Sequence, residues 1–230
     1  STTMNCLLGS RSTAAGSITN SGSGPVSTTV GIITKGNISG TISSPLTLTN
    51  SAAPLNDPYA VLPAPPTTPC SGNTTISTCT TVSPGCYSNL TLSPPVGCTL
   101  NLSPGLYVIT TGPLTFNTGN NRNISGTDVN FYAMRTNGAA ISISGNGTVT
   151  LTARQYGTYA NMLFIAATRS ISISGGAVRT LDGVIYAPNN SITVDLTGTN
   201  MTTTGNLVAN TISVTSPLTV NDNSRIKLLQ

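Results

Sequence analysis

The sequence predicts an all-β chain: a right-handed parallel β-helix with three short strands per coil and about 21 residues per turn. Three observations predict it. First, a hexapeptide recurs on a terminal alanine, as Asp128-Val-Asn-Phe-Tyr-Ala133, Asn161-Met-Leu-Phe-Ile-Ala166, Asp182-Gly-Val-Ile-Tyr-Ala187 and Thr204-Gly-Asn-Leu-Val-Ala209, at alanine spacings of 33, 21 and 22 residues. Second, each hexapeptide is followed by an alternating strand: Ile141-Ser-Ile143, Ile171-Ser-Ile173, Ile192-Thr-Val194 and Ile212-Ser-Val214. Third, Val, Ile and Thr fill the patterned stretches and Gly, Ser, Thr and Asn the gaps, while no segment shows a capped helical period. A chain of hairpins would pair neighbouring strands through two-residue turns. Here the pattern returns only after three strands, so each strand should stack on its counterpart one coil later.

Taken in order, residues 1–53 read as N-terminal coils or a cap. They carry short apolar alternations (Val30-Gly-Ile-Ile33, Ile38 to Ile42, Leu46-Thr-Leu48) without a clean period. Residues 54–100 read as a disulfide-stapled strap, because six prolines between Pro54 and Pro69 cannot join a central sheet and favour an extended path. Residues 101–230 read as the regular β-helix, continuous with the rest as one domain. Its third strand series is Val149-Thr-Leu151, Val178-Arg-Thr-Leu181, Met201-Thr-Thr-Thr204 and Leu218-Thr-Val220. The long 33-residue interval holds Arg154-Gln-Tyr-Gly-Thr-Tyr159, expected to be a looped insertion. Its Tyr156 and Tyr159 are expected to cover the open face of a coil, the alternative being a platform for a sugar ring.

Composition removes several function classes. Glu, His and Trp are absent, and charged residues make up only 6% of the chain, against about 25% in ordinary domains. The net charge of +4 comes from scattered arginines, so no nucleic-acid groove is expected. No apolar run of 18 residues exists, so no membrane span is expected. Without His or a CxxC pair, neither a zinc site nor any other cofactor is expected.

The five cysteines are Cys6, Cys70, Cys79, Cys86 and Cys98. Four of them crowd a Pro- and Gly-rich stretch, which points to disulfides and an oxidising compartment. Cys86 and Cys98 precede related segments and are expected to pair, with Cys70–Cys79 as the second bridge and Cys6 left free or intermolecular.

The ordered set Cys6-Leu-Leu, Ala14-Ala-Gly-Ser-Ile18, Asp57-Pro-Tyr59, Leu62-Pro-Ala-Pro65, Pro84-Gly-Cys-Tyr87, Leu102-Ser-Pro-Gly-Leu-Tyr-Val-Ile109, Ile124 to Tyr132 and Gly183-Val-Ile-Tyr-Ala-Pro188 resembles the C-terminal region of TadG-like proteins associated with tight-adherence (Flp/Tad) pili. That resemblance runs from about residue 6 to residue 210. It implies an envelope-associated or secreted bacterial protein and supplies no catalytic residues. The chain departs from that family in lacking a second cysteine near Val30-Gly-Ile32.

Parallel β-helices can degrade polysaccharides, so carboxylates matter. Asp128 and Asp182 open two of the hexapeptides, with Asn161 and Thr204 in the same place of the others. The expected role of Asp128, Asn161, Asp182 and Thr204 is a polar ladder bonding local backbone. The sharper alternative makes Asp128 and Asp182 a catalytic pair or half of a calcium site. The function expected is that of an extracellular structural or adhesive protein without catalysis. Its copies are expected to associate, end to end or laterally, through exposed coil ends at Cys6, Leu7 and Leu8 and at Leu228 and Leu229, or to join other surface and pilus components. Glycans are further candidate partners, since N-x-S/T sites are plentiful. The alternatives are a carbohydrate-binding or polysaccharide-degrading β-helix and an ice- or surface-binding solenoid, the latter from its Thr-rich stretches.

Overall fold

The computed structural model describes residues 2–4, 7–10, 18–20, 26–28, 31–34, 36–43, 47–48, 57, 59–176, 178–196, 201–215 and 218–220. Among them there is no α-helix, and every strand ladder is parallel. The chain winds as a β-solenoid of about seven turns with about 24 residues per turn. The turn length varies. Leu90 stacks on Leu114, Leu114 on Ile141, Ile141 on Ile171, Ile171 on Ile192 and Ile192 on Ile212, so successive turns consume 24, 27, 30, 21 and 20 residues. The value of about 21 therefore holds only for the last coils.

Three faces form the coil. The first is a ten-stranded sheet containing Thr99–Leu102, Asn123–Gly126, Val149–Thr152 and Arg179–Asp182. The second contains Gly105–Ile109, Val129–Ala133 and Met162–Ala166, and the third Leu114–Thr118, Ile141–Gly145 and Ile171–Ser174. The long strands Gly85–Leu92, Val184–Asp195 and Leu207–Val214 bend through the corner and belong to both of these faces.

Alternation decides what lies inside. In Ile141–Gly145 the isoleucines are buried and the serines half-buried, and the same holds in Ile171–Ser174. Aromatic rings stack along the axis: Tyr107 and Phe131 have centroids 5.1 Å apart, and Phe131 and Phe164 5.4 Å. Phe116 meets Phe131 edge-on at 5.5 Å. Each such pair adds about 0.5–1.5 kcal/mol beyond the area it buries. At one corner the stack is tight. Gly145 has φ of 98°, and a Cβ there would lie 2.0 Å from the Thr118 carbonyl oxygen; at Gly175 it would lie 2.0 Å from the Gly145 oxygen.

The boundary expected between residues 100 and 101 is not where regular coiling begins. Ser71–Ile76 already stacks in parallel on Gly85–Leu92, so the regular coil starts at Ser71. The strand itself is polar and largely exposed, which blunts the edge of the stack.

The N-terminal strands are placed against expectation. Thr2–Met4 pairs with Leu218–Val220, Leu7–Ser10 with Leu207–Val214, and Ile18–Asn20 also with Leu207–Val214. Val26–Thr28, Gly31–Thr34 and Ile38–Ser39 stack on these in turn, followed by Ile42–Ser43 and Thr47–Leu48. The beginning of the chain thus continues the stack where its later part leaves off. Residues 57 and 59–70 then return along the outside towards Ser71.

This arrangement corrects the assembly ends. The strand Leu7–Ser10, which contains Leu7 and Leu8, lies directly against the last long strand and is not at the opposite end from it. Cys6, Leu228 and Leu229 lie outside the described residues.

Candidate functional surface

The second face is buried on both sides. All five residues of Val129–Ala133 and all five of Met162–Ala166 are buried, because the strap and the insertion at residues 153–161 cover their outer side. Tyr132, Ile165 and Tyr186 stand in register on that outer side, with Cys86 and Val108 below and Val208 above. With Tyr159, Met162 and Val184 the central three form a second, external core, against which Tyr59 and Leu62 of the strap pack.

Specific bonds hold the strap. The Tyr186 hydroxyl donates to the Asp57 carboxylate at 2.5 Å, and the other Asp57 oxygen accepts from the Tyr59 amide at 2.9 Å. The Tyr59 and Tyr186 rings meet edge-on at 5.4 Å. Further along, the Tyr159 hydroxyl donates to the Pro63 carbonyl at 2.6 Å. Burial raises the phenol pKa of Tyr132 and Tyr159 above its ordinary value. Tyr59 is also raised, chiefly by burial, with a hydrogen bond to Asn206 opposing and the Asp57 charge adding to the rise. Beside these contacts lies a shallow pocket of about 340 Å³, lined by Asp57, Tyr59, Tyr132, Tyr186 and Asn189 among others.

In the insertion, Tyr159 covers the coil as expected, packing edge-on against Tyr132 at 5.6 Å. Tyr156 remains 59% exposed, with the Arg154 guanidinium 4.6 Å from its ring centre.

The four-residue ladder does not form as one column. Asp128 and Asn161 occupy equivalent corners and share a left-handed backbone, with φ of 57° and 63°. One extra residue is accommodated between Met162 and Phe164, which shifts the register so that Met162 pairs with Val184. The corner after Asn161 is therefore Gly183, with φ of 133°, and the carbonyl of Asn161 accepts from the Val184 amide at 2.7 Å. Asp182 and Thr204 pair instead with each other on the first face, where Thr152 is the next member of the row. Asp128 and Asp182 thus lie in different rows. The side chain of Thr204 lies outside the described residues.

The cysteines pair differently from expectation. The bridges are Cys70–Cys86 and Cys79–Cys98, with Cα atoms 4.4 and 5.8 Å apart. The register explains both. Ser71 stacks on Tyr87, which sets Cys70 opposite Cys86, and Thr81 stacks on Asn101, which brings Cys79 beside Cys98. Both bridges tie one coil to the next, where the expected pairs would have closed short loops.

In the series member Val178-Arg-Thr-Leu181 the inward row is taken by Arg179, paired with Val149 and Met201, while Val178 is 53% exposed. Arg179 is fully buried, and its guanidinium donates to the carbonyls of Gly147 and Gly145, the latter at 2.7 Å. Burial lowers its pKa to about 10. Hydropathy along the sequence cannot signal a cation that satisfies turn carbonyls from within.

The other two faces show columns of hydroxyl-bearing positions. On the first face Ser125, Thr150, Thr180, Thr202 and Thr219 stack in register, preceded by Asn101 and Thr81. On the third face the column runs Thr75, Thr91, Thr115, Ser142, Ser172, Thr193, Ser213, Thr19 and Ser39. Neither column contains a charge. Among the described residues no cluster of metal-ligating side chains occurs, and no helix is long and apolar enough to cross a membrane.

A family model described as a domain of unknown function, DUF7305, matches residues 22–227. No curated protein and no solved structure matches the chain.

Proposed function

We propose that this chain, which belongs to the DUF7305 family, is an extracellular structural or adhesive rod whose copies associate into filaments or surface layers without catalysing a reaction. The observation that carries this reading is the division of labour among the three faces. One apolar face is spent on holding the strap, and the other two present long uncharged columns along the rod. A surface with so little charge opposes close approach of copies only weakly. Two disulfide-bonded pairs fit an oxidising, extracellular setting. The resemblance to TadG-like pilus-associated proteins supports placement at a bacterial surface.

Light scattering over a micromolar concentration series tests the reading, alongside activity on a panel of polysaccharides. Growth of large particles without hydrolysis or elimination is the expected result. A monomer that cleaves a polysaccharide, and stops doing so as Asp128→Ala or Asp182→Ala, would overturn it.

The columns also favour a second reading, a binder of ice or another ordered solid. Parallel strands repeat about every 4.8 Å, so Thr150, Thr180 and Thr202 offer hydroxyls at a regular interval. Thermal hysteresis lost in Thr180→Lys would establish that reading.

A further inference from the structure

Four tyrosines are more than nine-tenths buried: Tyr107, Tyr132, Tyr159 and Tyr186. A buried phenol normally spends its hydroxyl on a partner, because an unmade bond there is costly. Three of the four do so. Tyr107 donates to the Val82 and Ser103 carbonyls, both at 2.8 Å, Tyr159 to the Pro63 carbonyl and Tyr186 to the Asp57 carboxylate. The Tyr132 hydroxyl has no hydrogen-bond partner among the described residues. Nor is it sealed from solvent, since the sealed and unpartnered side-chain atoms there belong to Arg122, Arg154, Arg179 and Thr203. Its row holds Val108 below and Ile165 above, so a phenylalanine would pack in its place equally well. The hydroxyl does nothing for the fold.

Tyr132 lines the pocket of about 340 Å³ between the strap and the coil. That size is near the lower end of the roughly 300–1,000 Å³ typical of small-molecule sites. The rest of the lining divides by chemistry. Tyr59, Tyr186, Leu62, Ile165 and Pro188 supply rings and apolar surface. Asn189 supplies an exposed amide, fixed because its Nδ2 donates to the Ala167 carbonyl at 3.1 Å, while its Oδ1 is used by no described residue. Asp57 places one carboxylate in the wall, which disfavours an anionic guest.

We propose that this pocket binds one pyranose unit of a neutral glycan. Such a ring offers an apolar C–H face to the tyrosines. Its hydroxyls each donate and accept, which suits both Tyr132 and Asn189. A quaternary ammonium ion is the other guest that an aromatic, acidic wall attracts, but it makes no hydrogen bond and would leave the Tyr132 hydroxyl unpaired. Because the pocket is shallow, it covers a single ring and leaves the remainder of the glycan in solvent. The site binds without cleaving, since hydrolysis normally uses two carboxylates and this wall holds one. It rests on the adhesive side of the reading above and needs no self-association, for a rod that stays single carries it equally.

Saturation-transfer difference NMR on the full chain tests the site. The probes are the methyl glycosides of glucose, galactose, mannose and N-acetylglucosamine, each alone, with choline as the cationic probe. At least one glycoside should receive saturation. Tyr132→Phe loses no internal bond, so it should keep the denaturation midpoint and bind that glycoside about fivefold more weakly. Asn189→Ala should weaken binding similarly, and Tyr156→Ala, outside the pocket, should not. Transfer to no glycoside, transfer to choline alone, transfer that survives both Tyr132→Phe and Asn189→Ala, or a lowered midpoint in Tyr132→Phe overturns the site. None of these results bears on whether copies associate, which light scattering decides separately.

Discussion

Tyr186 and Asp57 lie 129 residues apart in sequence and are joined by a 2.5 Å hydrogen bond from phenol to carboxylate. It fastens the proline-rich strap to the face of the coil whose strands Val129–Ala133 and Met162–Ala166 are buried outside as well as inside. The strap gives up little conformational freedom on docking, because its prolines already restrict it. A few well-placed bonds therefore suffice to hold it. Tyr186→Phe removes a charge-assisted bond of about 1.5–3 kcal/mol. The expected outcome is a lower denaturation midpoint and faster proteolysis between residues 59 and 66, while Tyr156→Phe, altering an exposed ring, changes neither.

The disulfide assignment is directly checkable. Peptide mapping without reduction should recover Cys70 linked to Cys86 and Cys79 linked to Cys98. Removing one bridge as Cys79→Ser/Cys98→Ser should cost about 3 kcal/mol in the loop-entropy account, for a separation of 19 residues. Recovery of Cys86–Cys98 would refute the stacking of the first coils.

Alkaline pH should unfold the protein. Burial raises the phenol pKa of Tyr59, Tyr87, Tyr107, Tyr132 and Tyr159 above the ordinary value of 10.0, so the folded state favours their neutral form. The stability they contribute is complete below pH 10.0 and is lost as the pH rises towards their folded values. Arg179 acts in the opposite sense. Its pKa falls on folding to about 10, so burying the cation costs stability at neutral pH, and that cost is relieved as the pH climbs above about 10. Denaturation midpoints measured from pH 8 to about 12 should fall, and should fall more steeply in Arg179→Met.

Two substitutions test the packing inside the corner. Gly145→Ala drives a methyl group into the Thr118 carbonyl and forces a side chain into a left-handed backbone, so a loss of about 2–4 kcal/mol is expected. Arg179→Ala leaves the Gly145 and Gly147 carbonyls without their buried donor, at about 1–3 kcal/mol for each group. Urea titration measures both.

The later coils were legible because Ile141, Ile171, Ile192 and Ile212 repeat with alternating Ser and Thr, and only a stacked coil accounts for that spacing. The covered face was legible in principle in one strand: Met162–Ala166 reads as an unbroken apolar run, the mark of a strand buried on both sides, whereas Asn130 interrupts Val129–Ala133. The position of residues 2–48 was not legible, since their strands are too short to show a period. Neither was the cysteine pairing, because four cysteines allow three connectivities and only the register of Ser71 on Tyr87 selects one. The shift from Asp182 to Gly183 follows from a single extra residue between Met162 and Phe164, which aligning the hexapeptides on their alanines conceals.

Electron microscopy of the purified full chain at micromolar concentration tests the central claim, that the rod is a self-associating structural element, most directly. The account predicts filaments or laterally ordered arrays of uniform width. Fields of separate single rods, unchanged as the concentration is raised, would contradict it.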